Sequence, residues 1–199
     1  MLATEHLLRA VNRIHADIAG IRDTLNAADR RLGDGDTGMT IEQVVAAWQS
    51  LEADAMEDIG VAMVALGRET ARATGSSLGS VLAIGLGAAG RAVRGHASLD
   101  RAGMITALAA ARASIVARSG AAIGDKTILD SIAHIERALT TAADEADLYA
   151  VAMSATEEAV TEFRERTSRI GRARMYGEKS AGSDDPGMLA AVLLLRAAR

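Results

Sequence analysis

Apolar side chains recur every three or four residues along most of this chain, which is the spacing that places them on one face of an α-helix. The first stripe, in residues 7–25, predicts one long helix that ends between Asn26 and Asp29. Seven more helices are predicted further along. Their first apolar or capping residues are Ile41, Met56, Val81, Met104, Ile128, Leu148 and Asp185. No segment alternates as a half-buried strand does, so the pattern predicts an all-α fold of eight amphipathic helices.

The residues at the predicted helix ends agree with this pattern. Asp125 stands before the sixth helix and Asp185 before the eighth, where a carboxylate can accept hydrogen bonds from free backbone amides. Pro186 follows Asp185 at the first helical position, where its missing N–H leaves no bond unmade. No linker long enough to divide the chain is visible, so we expect a single domain over residues 1–199.

Composition supports the helical prediction and removes several classes of function. Aromatic residues make up 2% of the chain although 49% of residues are apolar, so the core must consist mainly of aliphatic side chains and methionine. The absence of cysteine excludes disulfides and thiolate metal sites. A net charge of −4 argues against generic nucleic-acid binding, and no leader or membrane-length apolar run is visible. We expect a cytoplasmic protein that binds neither nucleic acid nor membrane.

Two glycine-rich stretches match known motifs only in part. Gly85, Gly87 and Gly90 have the G-x-G-x-x-G spacing, but a dinucleotide site needs this spacing after a strand in a βαβ unit. No such unit is predicted, so we interpret these glycines as small residues that let helices pack closely. The stretch DGDTG resembles the start of an EF-hand loop, but the ligand, glycine and glutamate required at later positions are missing.

The segment DRRLGDGDTG places the carboxylates Asp29, Asp34 and Asp36 within eight residues. Clustered oxygen ligands without cysteine or histidine suit Mg²⁺ or Ca²⁺, and the intervening glycines permit a sharp turn. The same pattern also fits a solvated acidic loop in which Asp36 or Thr37 caps the next helix. Spacing alone favours neither hypothesis.

Other segments favour the metal hypothesis because they supply groups that bind anions. TGSSLGS offers hydroxyls and free amides at a helix start, and so do GDKT and DDPG. Arg172, Arg174 and Lys179 add positive charge shortly before the last helix. Together these segments could hold a polyphosphate, with metal ions between it and the carboxylates.

Four segments also carry a resemblance to a known family: DRRLGDGDTG, TGSSLG, GDKTILD and GRARMYGEKSAGSDDPG. With them, the chain resembles the DhaL-like family, the nucleotide-binding subunits of bacterial dihydroxyacetone kinases, over essentially its whole length. The resemblance implies an antiparallel barrel of eight amphipathic helices with ADP or ATP at one rim. It also implies two Mg²⁺ ions, held by Asp29, Asp34 and Asp36.

The resemblance further implies which residues lie against the nucleotide, at its phosphates, on the adenine side and in the segment that closes over it. These candidates are Thr37, Gly38, Met39, Thr40, Ser76, Ser77, Ile128, Arg172, Asp185, Pro186 and Gly187. No catalytic residue beyond metal and phosphate binding is expected on this chain. Thr37 departs from the family, which usually has histidine there, and Lys179 stands where arginine is common.

The function implied is that of a kinase subunit that holds ADP or ATP with Mg²⁺ and transfers the terminal phosphoryl group to a ketose on a DhaK-like partner subunit. The ketose is dihydroxyacetone or another short ketose such as erythrulose. The donor stays open between free ATP and a phosphotransferase-system protein that rephosphorylates bound ADP. Two other hypotheses remain: a non-catalytic nucleotide-binding module that regulates a partner, and an acidic helical scaffold that binds no nucleotide.

Overall fold

The computed structural model describes residues 1–51, 56 and 58–199, and within these ranges the regular structure is almost entirely helical. The α-helices are α1 (Thr4–Ala16), α2 (Ile18–Asp29), α3 (Thr37–Gln49), α4 (Ile59–Ala73), α5 (Ser77–Ala92), α6 (Arg101–Ser119), α7 (Ile128–Thr141), α8 (Leu148–Phe163) and α9 (Pro186–Ala197). A 3-10 helical segment, Arg172–Ser180, precedes α9. The two-residue strands β1 (Leu2–Ala3) and β2 (Ser98–Leu99) pair antiparallel.

The long first helix of the prediction is two helices, α1 and α2. The backbone of Asp17 between them has φ −97° and ψ 3°, which departs from helical values. The apolar stripe continues across this break, with Val11 and Ile14 buried on α1 and Ile21 and Leu25 buried on α2. The other predicted helices correspond to α3–α9. The predicted third helix began at Met56 and includes residue 57, which lies outside the described residues; α4 begins at Ile59.

Helices α2–α9 form a closed ring, which confirms the predicted eight-helix fold. Each helix packs against the next along the chain, and α9 packs against both α8 and α2. Helix α1 lies against α3 and α9, so its apolar stripe joins the largest buried cluster. In that cluster the indole nitrogen of Trp48 on α3 donates to Thr70 Oγ1 of α4 at 2.9 Å. Among the described residues, no helix combines the length and apolar character that a membrane crossing needs.

The glycines of the G-x-G-x-x-G stretch lie inside α5, where two of them pack against α4. A Cβ atom on Gly90 would lie 2.5 Å from the carbonyl oxygen of Gly60, and a Cβ on Gly60 would lie 2.5 Å from the carbonyl oxygen of Gly90. A Cβ on Gly67 of α4 would likewise lie 2.9 Å from the amide nitrogen of Gly87. The two helices therefore approach each other through glycine, which confirms close packing as the reason for the motif.

Replacing Gly60 or Gly90 by alanine should lower the free energy of unfolding by about 1–3 kcal/mol, because the new methyl group would meet backbone atoms that cannot move aside. Gly20→Ala is the matched control, since Gly20 lies in α2 with nothing within 4 Å of an added Cβ. The free energy of unfolding of that control should rise by about 0.5–1 kcal/mol. Urea denaturation followed by circular dichroism measures all three. Unchanged stability of Gly60→Ala and Gly90→Ala would contradict the packing argument.

Candidate functional site

A cavity of about 750 Å³ opens where the starts of four helices, α3, α5, α7 and α9, converge. The ends of α2 and α6 complete its wall. Because starts and ends of alternate helices meet here, this is one rim of the ring. Each helix start carries about half a positive charge from the helix dipole, although side chains accept hydrogen bonds from several of its first amides. The rim is therefore suited to anions.

Most of the residues singled out from the sequence line this cavity. They are Asp29, Asp34, Asp36, Thr37, Thr40, Ser76, Ser77, Ile128, Arg172, Asp185, Pro186 and Gly187. Gly38 and Met39 are outside the wall. The amide of Gly38 donates to Asn26 Oδ1 at 2.8 Å beneath the site, and Met39 points away with 51% of its surface exposed. None of the described histidines lines the cavity.

Asp29 organises the aspartate loop from the end of α2. Its Oδ2 accepts hydrogen bonds from the backbone amides of Gly35, Asp36 and Thr37 at 3.0, 2.9 and 3.2 Å. These bonds satisfy one oxygen of a buried carboxylate, and none of the three uses Oδ1. Gly33 is required for a steric reason, because a Cβ there would lie 2.1 Å from Oδ1.

The three aspartates are close enough to share a cation. One carboxylate oxygen from each of Asp29, Asp34 and Asp36 lies within 4.8 Å of the others. Asp29 is buried, while Asp34 and Asp36 are exposed and face the cavity. Hard oxygen donors of this kind, with room for water or phosphate beside them, fit Mg²⁺. Arg172 Nη1 contacts Asp34 Oδ2, so an ion pair joins the aspartate loop to the opposite wall.

The starts of α5 and α7 are capped by hydroxyl groups. Ser76 Oγ accepts from the amide of Gly79 at 3.0 Å at the start of α5. The prediction that Asp125 caps α7 was wrong. The cap is Thr127, which forms a reciprocal capping box with Asp130. Asp125 instead accepts from the amide of Ala122 at 2.7 Å and so shapes the preceding loop.

Asp185 caps α9 as predicted, with Pro186 at the first helical position. Its Oδ1 accepts from the amide of Met188 at 2.9 Å. The carboxyl group is buried, although the residue keeps some exposed surface. Burial raises the pKa of Asp185 to about 6, against the opposing effects of the amides of Met188 and Gly187 and the charge of Lys126.

Residues 164–182, here called the cover segment, run from the end of α8 over the cavity and include the 3-10 helix. Ile170, Gly171, Ala173, Arg174 and Met175 line the cavity together with Arg172. Sequence reasoning found the arginines of this segment through its basic charge. It missed the apolar lining that Ile170 forms with Ile84 and Ile115, and also Arg118 and Ser119 at the end of α6, for which no motif gives a signal.

Comparison with known proteins finds similar sequences. The model of the DAK2 domain matches residues 31–199. L-erythrulose 1-kinase of Mycolicibacterium smegmatis is 32% identical over 178 residues, which cover 87% of this chain and 31% of that enzyme. The ADP-binding subunit DhaL of the PEP-dependent dihydroxyacetone kinase of Escherichia coli is 24% identical over 177 residues, covering 86% of this chain and 84% of that subunit.

The fold also matches one part of a solved structure. Crystal structures of the dihydroxyacetone kinase of C. freundii, native and in complex with AMP-PNP and Mg²⁺, match with a TM-score of 0.73. Identity is 22% and 21%, and the match covers 96% of this chain but 33% and 32% of those chains. The chain likewise spans 31% and 34% of the length of two erythrulose kinases that it matches.

In the absence of divalent ions, Asp29→Ala should lower the free energy of unfolding by about 1–3 kcal/mol, because three amides lose their acceptor. Asp34→Ala is the control and should change it by less than about 0.5 kcal/mol, since Asp34 is exposed. Urea denaturation measures both variants. Equal losses would show that Asp29 does not hold the loop.

Asp185→Asn should raise stability at pH 7 by about 1–3 kcal/mol, because asparagine keeps the cap without a buried charge. The sign follows from the pKa of Asp185, which folding raises to about 6 from 3.8. Protonation therefore favours the folded state, and this contribution is complete below about pH 4 and lost as the pH rises through 6. The advantage of the variant should shrink from pH 7 to pH 4 in urea titrations. An advantage that does not change with pH would contradict the prediction.

Proposed function

This chain belongs to the DAK2 domain family, and we propose that it is the nucleotide-binding subunit of a kinase for a short ketose. In this proposal it holds ADP or ATP with Mg²⁺ and presents the terminal phosphoryl group to a ketose bound on a partner subunit. The observation that carries the proposal is the meeting of three carboxylates with four helix starts in one cavity.

The charges of the cavity support a polyphosphate with metal. Phosphates bind favourably at helix N-termini, here those of α3, α5, α7 and α9. Phosphates would be repelled by Asp29, Asp34 and Asp36 unless cations lie between them, because like charges about 5 Å apart repel by roughly 1 kcal/mol in water and more in a drier site. A volume of about 750 Å³ lies within the range typical of small-molecule sites.

In this proposal, different residues of the chain would bind different parts of the nucleotide. Asp29 Oδ1, Asp34 and Asp36 would hold Mg²⁺, and the ion would supply neutralisation of phosphate charge during transfer. Amides at the start of α5, beside Ser76 and Ser77, would bind phosphate oxygens. The guanidinium of Arg172 faces the same loop as the aspartates and can exchange its carboxylate partner for a phosphate.

The apolar side of the cavity offers a place for the base. Ile84, Ile115 and Ile170 pack together there, and Ile128 at the start of α7 lines the same cavity. Aliphatic groups can pack against both faces of a planar heterocycle and exclude water from it. With the phosphates at the aspartates, this side would take the adenine.

The activities for which the relatives are named favour a kinase over a regulatory module, since they include an L-erythrulose 1-kinase and a dihydroxyacetone kinase subunit. Reconstitution tests the proposal. The chain would be combined with ketose-binding subunits, dihydroxyacetone or erythrulose, and either ATP or a PEP-dependent phosphotransferase system. Transfer to a ketose with either donor is the expected result. Tight ADP binding without transfer to any ketose would favour the regulatory alternative, and no nucleotide binding would favour the scaffold.

Asp34→Asn and Asp36→Asn should each weaken Mg²⁺-dependent ADP binding at least 100-fold, because each removes a negative ligand from the ion, while the helical circular dichroism stays unchanged. Titration calorimetry with ADP and Mg²⁺ measures the affinity, and we expect two ions per nucleotide. Asp23→Asn is the matched control, since Asp23 lies on α2 with its side chain 72% exposed and pairs with Arg22 away from the cavity. Unchanged ADP affinity in both site variants would overturn the metal assignment.

A further inference from the structure

Lys126 combines two unfavourable features in the loop before α7. Its backbone has φ 64°, in the left-handed region that favours glycine, and it is the one non-glycine residue with positive φ among those the structure describes. Its side chain is 1% exposed, so an ammonium group lies inside the protein. Burial lowers the pKa of Lys126, although the charges of Asp185, Asp184 and Glu165 oppose this effect. Specific contacts must stabilise such a residue.

Those contacts are three backbone carbonyls. Lys126 Nζ donates to the carbonyl oxygens of Arg164, Arg166 and Ser180 at 3.0, 2.8 and 2.8 Å. Arg164 and Arg166 follow the end of α8, where the helix dipole places a partial negative charge. Ser180 is the last residue of the 3-10 helix. One ammonium group therefore ties together the two ends of a loop that spans residues 164–180.

This loop is the main part of the cover segment. Further bonds at its base are the amide of Gly182 to the carbonyl of Arg164 at 2.9 Å and the amide of Ser168 to Ser180 Oγ at 2.9 Å. The amide of Arg169 donates to the carbonyl of Asp125 at 3.1 Å. The base of the loop is thus fixed to the residues around Lys126, and residues 170–175 between these ties line the cavity.

The contacts also explain why the residue is lysine. The chain has twenty arginines and two lysines, so arginine is the usual cation here. An ammonium group donates in three directions from one point, which matches three converging carbonyls, whereas a planar guanidinium fork does not. All three donors are used, and Lys126 does not line the cavity. It therefore has no donor left for a phosphate, which the GDKT segment was expected to bind.

We propose that Lys126 is a positioning residue, which holds the cover segment against the start of α7 and so places the nucleotide-facing residues of both. The neighbouring Thr127 and Ile128 lie in one wall of the cavity, and Arg172 lies in the other. The effect on nucleotide binding rests on the proposed function. The anchoring of the cover segment does not, and it is measured separately.

Lys126→Met removes the ammonium while keeping a long side chain. Amide hydrogen exchange in residues 164–182 should become at least tenfold faster, with exchange in α3 and α4 unchanged, and Mg²⁺-dependent ADP affinity should fall at least tenfold. Arg68→Met, at an exposed cation of α4, is the control and should change neither. Lys126→Arg should not restore either property. Wild-type exchange rates in the cover segment of Lys126→Met would overturn the proposal.

A chemical rescue separates the ammonium from side-chain volume. Because the chain has no cysteine, Lys126→Cys can be alkylated selectively in denaturant and refolded. Bromoethylamine rebuilds a lysine-like ammonium, and iodopropane gives an uncharged side chain of similar length. Only the ammonium reagent should return the exchange rates and the ADP affinity to within threefold of wild type. The wild-type reference is taken through the same denaturation and refolding. Equal recovery with both reagents, or with neither, would overturn the proposal.

The two proposals fail in distinguishable ways. If the wild-type chain binds no ADP, the proposed function is wrong, while hydrogen exchange still tests the anchor. If ADP binds normally to wild type and to Lys126→Met, and exchange is faster in the variant, the anchor does not position the nucleotide and the inference is wrong.

Discussion

A buried charge that satisfies three backbone groups holds each side of the cavity in place. On the acidic side Asp29 Oδ2 accepts from three amides of the loop between α2 and α3. On the opposite side Lys126 Nζ donates to three carbonyls of the cover segment. Each charge would be costly to bury alone, and each loop would leave polar backbone atoms unpaired. The hydrogen bonds between charge and backbone meet both requirements at once. They hold these irregular segments in place, although the segments belong to no sheet.

The fixed backbone explains why carboxylates that repel one another can stay close. Because Asp29 draws the amides of Gly35, Asp36 and Thr37 toward α2, the side chains of Asp34 and Asp36 must come near it. The helix starts around the rim and the guanidinium of Arg172 supply positive potential that reduces the repulsion. The acidic cluster and the positive potential of the rim thus stabilise each other, and both face the same cavity. The close approach of the aspartates and the convergence of the helix starts are therefore best explained together.

Features decided by neighbouring residues could be predicted from the sequence, and features decided by distant residues could not. Asp185 and Pro186 mark the start of α9 within two residues, and the apolar stripes gave the helices that form the ring. The break at Asp17 left no signal because the buried stripe continues through it. The cap of α7 was missed although its signal is local, because Thr127 and its capping-box partner Asp130 are only three residues apart. The inward turn of Lys126 depends on carbonyls 38, 40 and 54 residues away.

Thr37 shows how the fixed backbone affects the chemistry of the site. The resemblance of the sequence to its family implies that histidine is usual at this position, and histidine can carry a positive charge, whereas the threonine hydroxyl cannot. The cationic side chains in the described cavity wall are Arg118, Arg172 and Arg174, and each is exposed. Exposed cations bind phosphate weakly because water screens them, while amides held at helix starts keep their direction. If the proposed function holds, phosphate binding would therefore depend mainly on backbone groups and metal. The residues that fix the backbone then matter as much as those that face the ligand.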